Sequence, residues 1–259
     1  MGLLYDDLTI CNFDHVYIPQ TNLLALPHTW IECEDIEHTN GYCEQDSFRL
    51  IAERLHQRRH PGGITFVGNG NYHYVSRTLL QEVDRPFTLI LLDNHTDMMT
   101  NVPQHFLSCG SWVVDALLNL PLLRHVILIG TRSDLAAQID PHFSSYITVF
   151  TSQQLSETNI NTFISSILSS IHTDTVYISI DKDVLSPEEV ETNWDQGVMT
   201  LAQLQAIVKA LIHCSAKIYG VDICGELPVS PLDVFHQDKQ MSIRKNEKVN
   251  LEILQTIYS

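Results

Sequence analysis

Short apolar runs rich in β-branched residues recur along this chain and alternate with amphipathic stretches. Runs of this length, separated by helical patterns, indicate βαβ units whose helices cover both faces of a mostly parallel sheet. The sequence therefore predicts an α/β fold with three layers, α/β/α, around a mostly parallel central sheet. The predicted strands are Ile64–Val67, Phe87–Leu92, His125–Ile129, Ile147–Phe150, Thr175–Ile180 and Lys217–Val221, with an edge strand around Thr9–Asp14.

Amphipathic stretches lie between these strands, and Thr200 is predicted to cap the helix that begins at Leu201. Residues 1–45 and 222–245 are predicted to be largely irregular. No internal repeat, low-complexity tract or linker divides the chain, so we expect a single domain over residues 1–259. The predicted helices are Asp46–Arg59, Ser76–Val83, Trp112–Leu118, Ile160–Ile171, Leu201–Ile212 and Glu247–Ile257.

Composition restricts the partners and the compartment. The net charge of −16 disfavours nucleic acid and anionic membranes as partners, and it suits a cationic substrate. No apolar run approaches the roughly 20 residues that a membrane-spanning helix needs. The first residues lack the basic region and cleavage pattern of a signal peptide. The six cysteines form no CxxC pair, so we expect free thiols and a cytoplasmic protein.

Three clusters of metal-binding side chains follow predicted strands. One is a single histidine, one alternates aspartate and histidine, and one is a pair of aspartates. They are His73, then Asp93, His95 and Asp97, and then Asp181 and Asp183. Because functional groups collect at the carboxyl edge of a parallel sheet, the shared position of the clusters indicates one site.

The spacing within the clusters is also informative. On an extended backbone Asp93, His95 and Asp97 would point the same way. Asn94 and Thr96 would point oppositely. Lys182 would likewise point away from its aspartate neighbours. Mixed carboxylate and imidazole ligands suit Mn²⁺ or Zn²⁺ better than Ca²⁺. Two such cations side by side can generate a nucleophile from water at neutral pH.

Each cluster taken alone has a simpler explanation. The sequence DNHTD could be a polar transition from strand to loop, and His73 could be a hydrogen-bonded structural histidine. Cys109 could suggest a nucleophile, but no base is placed beside it by the sequence, and Ser-Cys-Gly at a helix entry explains it better. The coincidence of three clusters at three strand ends favours a metal site.

At these residues the chain resembles the ureohydrolase superfamily, which includes arginases, agmatinases and formiminoglutamases. In that family a strand-end histidine, a DxHxD motif and an SxDxD motif supply six ligands to a binuclear manganese centre. All six ligands match here, within roughly residues 60–228. The resemblance implies an arginase-like fold and two Mn²⁺ ions per chain, although ligand type alone does not separate Mn²⁺ from Ni²⁺ or Co²⁺.

The resemblance also implies a role for each ligand. A hydroxide held between the ions would attack the planar guanidino or amidino carbon, and Asp97 would pass a proton to the leaving amine. The implied bridging ligands are Asp93 and Asp181. The implied remaining ligands are His73 and Asp97 for one ion, and His95 and Asp183 for the other.

Two further catalytic candidates depart from the family pattern. The family's guanidinium-binding glutamate lies three residues after a strand-end aspartate. Here Asp222 is followed at that position by Gly225, and the carboxylate is Glu226, which a one-residue bulge would bring to the substrate. His105 is the histidine nearest to the position of the arginase proton shuttle, but it is out of register. The arginase loop that binds a free amino acid is not recognisable.

These observations predict a hydrolase of linear amidines that releases urea or a related product. Its substrate would be a cationic guanidino compound or an arginine within a peptide. One alternative is a metal-dependent amidohydrolase like the deacetylases, which use one metal beside a His-His pair that this sequence lacks. Another is a non-catalytic, metal-binding regulatory protein. Members of the family often form trimers or hexamers, so the resemblance leaves a homo-oligomer open, and nothing in the sequence shows an interface.

Overall fold

The computed structural model describes residues 2–103, 105–230 and 233–259, with Val234 described by its backbone alone. Its centre is an eight-stranded sheet in which every pair of neighbouring strands is parallel. The strands are β1 Leu8–Asn12, β2 Thr29–Glu32, β3 Tyr42–Glu44, β4 Gly63–Phe66, β5 Phe87–Leu92, β6 Phe106–Ser108, β7 Leu123–Thr131, β8 Ile147–Thr151, β9 Thr175–Asp181 and β10 Lys217–Cys224.

The order of strands in the large sheet is β2-β1-β4-β10-β9-β5-β7-β8. The two remaining strands, β3 and β6, form a short antiparallel ribbon outside it. The order places β4, β10, β9 and β5 side by side in the middle, so the loops that follow these strands converge at one edge.

Helices connect the strands. Thr200 caps α8 with a capping box, as the sequence predicts. Short 3-10 helices at Gly70–Val75 and Lys182–Val184 follow β4 and β9. The α-helices are α1 Thr21–Leu24, α2 Gln45–Leu55, α3 Ser76–Gln81, α4 Trp112–Asn119, α5 Ser133–Ala136, α6 Ser152–Glu157, α7 Ile160–Ser169, α8 Leu201–Ile212 and α9 Gln237–Tyr258.

Two hydrophobic cores lie on opposite faces of the sheet. Successive residues of β5 alternate between them: Ile90 and Leu92 belong to one core, and Leu89 and Leu91 to the other. The first core includes α7, α8 and α9, and the second includes α2, α3 and α4. Apolar side chains on both faces explain why the central strands are continuous apolar runs. The three-layer α/β prediction is confirmed.

Every predicted strand is present, but the first 45 residues hold more structure than predicted. β1 is not an edge strand, because β2 pairs along its other side. Residues 222–245 are also more regular than expected, since β10 continues to Cys224 and α9 begins at Gln237. The buried face of α9 carries polar side chains, which disguised its helical period. No helix in the described ranges is long and apolar enough to cross a membrane.

Candidate metal centre

The three predicted clusters meet at the carboxyl edge of the sheet. His73 lies in the 3-10 helix after β4, and Asp93 follows the last residue of β5. Asp181 ends β9, and Asp183 lies in the 3-10 helix that begins directly after it. Because β4, β10, β9 and β5 are consecutive in the sheet, segments that are more than 100 residues apart in sequence converge here.

The side chains form two ligand groups that share one carboxylate. In the first, His73 Nδ1 lies 3.4 Å from Asp93 Oδ2 and 3.0 Å from Asp97 Oδ2. In the second, His95 Nδ1 lies 3.4 Å from Asp93 Oδ1 and 3.0 Å from Asp183 Oδ2. The ligand atoms of each group lie within 4.8 Å of one another. Asp93 therefore offers one oxygen to each group, as a bridging carboxylate does.

The second expected bridge, Asp181, is also close. Its Oδ2 lies 3.5 Å from His73 Nδ1 and accepts a hydrogen bond from the Cys224 thiol at 3.1 Å. His73, Asp181 and Cys224 form a third group of potential ligand atoms. Cys224 was not singled out by the sequence reasoning, and only the pairing of β10 with β9 brings it here.

Turns, and not an extended backbone, bring the candidate ligand side chains together. The amide of His95 donates to Asp93 Oδ1 at 2.6 Å, and the amide of Asp183 donates to Asp181 Oδ1 at 2.9 Å. Asp97 has a positive φ of 51°. The expectation that Thr96 points away is wrong, because the chain bends after Asp93 and Thr96 lines the cleft described below.

A relay of hydrogen bonds orients His73. Ser179 Oγ donates to Asp222 Oδ1 at 2.7 Å, so it accepts the hydrogen bond that His73 Nε2 makes with it at 2.9 Å. Ser76 Oγ also donates to Asp222 Oδ1, at 2.9 Å. This arrangement places the imidazole proton on Nε2 and directs the lone pair of Nδ1 toward the carboxylates, as a metal ligand requires.

His95 has a carboxylate partner that sequence reasoning missed. Its Nε2 lies 3.0 Å from Asp195 Oδ1, and Asp195 Oδ2 accepts a hydrogen bond of 2.5 Å from Arg132. A carboxylate behind a histidine fixes the ring and makes it a stronger ligand. Asp195 lies between β9 and α8 in a stretch with no recognisable motif, so no local pattern identifies it as a partner of His95.

The buried carboxylates of the centre need positive charge to compensate them. Burial and the neighbouring charge of Asp93 raise the pKa of Asp97 to about 6. Although burial opposes it, contact with the carboxylates of Asp183 and Asp93 raises the pKa of His95 far above its usual value. Asp93 Oδ2 is buried without a hydrogen-bond partner in the described part of the chain. Buried carboxylates at this density are costly unless cations compensate them, so the donor set fits two divalent ions.

Glu226 and His105, the two further catalytic candidates, lie outside the ligand groups. Glu226 is buried in an ion pair with Lys182 and accepts a hydrogen bond from Asn250 at 2.6 Å. The expected reach of Glu226 to the substrate is not seen, because Lys182, Asn250 and Gln20 hold its carboxylate. His105 is exposed in the turn before β6. Neither Glu226 nor His105 lines the cleft.

A cleft of about 370 Å³ opens over the ligands. Its floor includes both histidines together with Asp97, Asp181 and Asp183. Its walls are mainly apolar, and they are formed by Tyr42, Met99, Leu135 and Trp194. The sequence reasoning singled out none of these four residues, because each belongs to a loop or a very short element.

Comparisons with known proteins identify the family. The sequence model of the arginase family matches residues 15–233. An uncharacterized protein of Thermotoga maritima is 33% identical over 196 residues, which cover 76% of this chain and 68% of that protein.

Solved structures share the fold at low sequence identity. Formimidoylglutamase from Bacillus subtilis has a TM-score of 0.72 at 16% identity, covering 99% of this chain and 88% of that one. Proclavaminate amidino hydrolase from Streptomyces clavuligerus has a TM-score of 0.71 at 17% identity, with 98% and 91% covered. Arginase from Bacillus cereus has a TM-score of 0.65 at 12% identity, with 96% and 98% covered. This chain belongs to the arginase family of the ureohydrolase superfamily.

Proposed function

We propose that this protein is a hydrolase that uses two Mn²⁺ ions to cleave a C–N bond in a guanidino or amidino group. The observation that carries the proposal is the position of Asp93, whose two oxygens serve two separate groups of ligand atoms. Family membership and the fold shared with formimidoylglutamase and proclavaminate amidino hydrolase support the reaction class. The mixture of imidazole and carboxylate ligands suits a divalent transition metal, and the resemblance to binuclear manganese enzymes supports Mn²⁺ among these.

Asp97 is the residue that we propose moves the proton. Trp112 Nε1 donates to Asp97 Oδ2 at 2.5 Å and holds this carboxylate beside His73. Two divalent cations, when bound, supply activated water and polarise the substrate. Their positive charge also lowers the pKa of Asp97, so its carboxylate is ionised at neutral pH. It can then accept a proton from the nucleophile and donate it to the leaving amine.

The charge of the site suits a cationic substrate. Four ligand aspartates carry four negative charges, which two divalent cations balance, and an activated water adds one negative charge. A guanidinium or amidinium group would then restore neutrality. Glu226 forms a buried ion pair with Lys182. We therefore propose that the aspartates at the metals, and not Glu226, face the cationic group of the substrate.

The proposal is tested by metal analysis and a substrate panel. The purified chain is loaded with Mn²⁺, its metal content is measured, and the release of urea and ammonia is followed with guanidines, amidines and arginine peptides. We expect two ions per chain and turnover of at least one class. Fewer than two ions, or no turnover across the panel, would overturn the proposal.

Asp97→Asn, compared with the natural sequence at equal measured Mn²⁺ content, tests the proton transfer. We expect kcat to fall by about 10²–10⁴-fold, because the amide cannot accept a proton, while circular dichroism shows an unchanged fold. Asp84→Asn is the matched control, since this aspartate pairs with Arg85 at the surface. Near-full activity of the Asp97→Asn variant would refute the role assigned to Asp97.

A further inference from the structure

The mouth of the cleft exposes large apolar side chains. Tyr42, Met99 and Trp194 line it and are 51%, 47% and 41% exposed. Phe106, which is 39% exposed, packs edge-on against Tyr42 with 6.4 Å between the ring centroids. A contiguous apolar surface of this kind on a soluble domain marks a binding site.

These side chains are held in place. Trp194 Nε1 donates to Asn71 Oδ1 at 3.0 Å, and the indole meets the His95 ring edge-on at 5.7 Å. The indole also lies against Gly70, where a Cβ would be only 2.7 Å from Trp194 Cδ1. On the other side, the pairing of β3 with β6 sets Tyr42 opposite Ser108 in the cleft wall. Contacts within the chain therefore hold Trp194 and Tyr42 before a ligand binds, which lowers the entropic cost of ordering them.

The cleft offers no partner for a charged substituent. Among the described residues that line it, the ionisable groups are the metal ligands, the Tyr42 phenol and the Cys109 thiol. No lysine or arginine is present there to bind a carboxylate, and no carboxylate outside the ligand set is present to bind an ammonium group. An amino-acid tail or a terminal amine would lose its hydration without compensation.

We propose that the substrate of this centre carries an uncharged, apolar substituent on its guanidino or amidino nitrogen. The proposal rests on the proposed function for the reacting group and adds the nature of the rest of the molecule. Burial of each methylene contributes roughly a fourfold gain in affinity. A cleft of about 370 Å³ falls in the range of small-molecule sites and would hold a short alkyl or aryl group.

The test compares two guanidines that differ at one end. Agmatine ends in an ammonium group, and pentylguanidine ends in a methyl group at the same position. With Mn²⁺-loaded protein we expect kcat/KM to be at least about tenfold higher for pentylguanidine, and higher still for 3-phenylpropylguanidine. Equal or better turnover of agmatine or L-arginine would overturn the apolar assignment while leaving the proposed reaction standing.

Binding is measured alongside turnover, so that the two proposals fail separately. Quenching of tryptophan fluorescence reports occupancy of the cleft, because Trp194 lines it. Tighter binding of pentylguanidine than of agmatine, with no turnover of either, would support the cleft assignment and contradict the hydrolase. Equal binding without turnover would overturn both.

Variants of cleft residues test whether the preference for apolar guanidines arises from the cleft. Trp194→Ala should lower kcat/KM for 3-phenylpropylguanidine by about tenfold, and Met99→Glu should shift the preference toward agmatine by supplying a carboxylate. Leu118→Ala is the control, since Leu118 is an exposed apolar residue outside the cleft lining. Unchanged preferences in both cleft variants would overturn the proposal. Conversion of an oligomer into a monomer by Trp194→Ala in sedimentation would also overturn it, because the surface would then be a subunit interface.

Discussion

Arg132 lies outside the ligand set, yet it acts on the metal centre through a single carboxylate. Its guanidinium donates to Asp134 and to Asp195, and only Asp195 contacts His95. The exposed pair with Asp134 contributes little to stability. The pair with Asp195 holds a carboxylate behind the imidazole of His95, a candidate metal ligand whose charge and position this carboxylate influences.

We predict that Asp195→Asn weakens Mn²⁺ binding by about 10–100-fold, because an uncharged amide polarises and orients His95 less strongly. Equilibrium dialysis with metal analysis measures the change. The matched control is Asp134→Asn, which also removes a carboxylate from Arg132 but does not touch His95. Equal losses in the two variants would contradict the assigned role of Asp195.

The ionisation of Asp14 affects the stability of the folded chain. Burial raises its pKa to about 6, although a hydrogen bond from Asn69 opposes the shift. The usual value is 3.8, so between about pH 4 and pH 6 the folded chain binds a proton that the unfolded chain has released. The stability contributed by this carboxyl is therefore present at low pH and is lost as the pH rises through that window.

We predict that Asp14→Asn is more stable than the natural sequence above about pH 6, by at most about 3 kcal/mol. The difference should shrink toward zero below about pH 4, where the carboxyl is neutral in both states. Urea unfolding across this pH range, with a chelator present, measures it. The Asp84→Asn variant should show no gain, since Asp84 is exposed.

At the scale of elements, a buried polar network joins the back of the metal centre to the C-terminal helix. Lys182, which lies between two ligand aspartates, donates to Asn246 at 3.0 Å and to Asn250 at 2.9 Å, both on α9. It also pairs with Glu226 just after β10. Gln20 completes the network by donating to Glu226 at 2.9 Å. The network is almost fully buried, so the two charges depend on each other.

We predict that Glu226→Gln destabilises the protein by about 3–5 kcal/mol, because it leaves the ammonium group of Lys182 buried without a counter-ion. The double variant Lys182→Met/Glu226→Gln should recover much of this loss. The free energy of unfolding in urea gives both values. Normal stability of Glu226→Gln combined with loss of turnover would instead mean that Glu226 contacts the substrate.

The sequence identifies the candidate ligands that the fold brings together but not the residues that support them, for a physical reason. Strand ends and ligand spacing are local, so His73 and the aspartate–histidine clusters could be identified before any fold was known. The hydrogen bond between His95 and Asp195 joins residues 100 positions apart, so no local sequence pattern predicts it. The direction of Glu226 was also inaccessible, because it depends on Lys182, a tertiary partner. The ribbon of β3 and β6 is too short to show alternation.

For the whole molecule, we expect cations bound at the candidate metal centre to contribute to stability. Much of the acidity of this chain, whose net charge is −16, is spread over the surface, but four carboxylates are concentrated and buried at one sheet edge. Mutual repulsion of these groups disfavours the folded state when cations are absent. Cations that bind only the folded chain shift the folding equilibrium by mass action.

We predict that Mn²⁺ at about 100 times its dissociation constant stabilises the fold by about 2.7 kcal/mol for each site, and that a chelator lowers Tm. Calorimetry with and without Mn²⁺ measures the shift. Ca²⁺ at the same concentration should give a smaller shift, since it prefers all-oxygen ligands. A Tm insensitive to Mn²⁺ would contradict the binding of cations at this edge.

The order of strands in the sheet also sets the time at which the centre can form. The second ligand group needs Asp93 and His95 together with Asp183, and β9, which carries Asp183 at its end, pairs directly with β5. During synthesis on the ribosome, the first half of the chain emerges with only part of a binding site. Pairing between strands that are far apart in sequence slows folding, because the connecting chain must be closed first. We therefore expect cations to bind the second ligand group only after β9 has paired with β5.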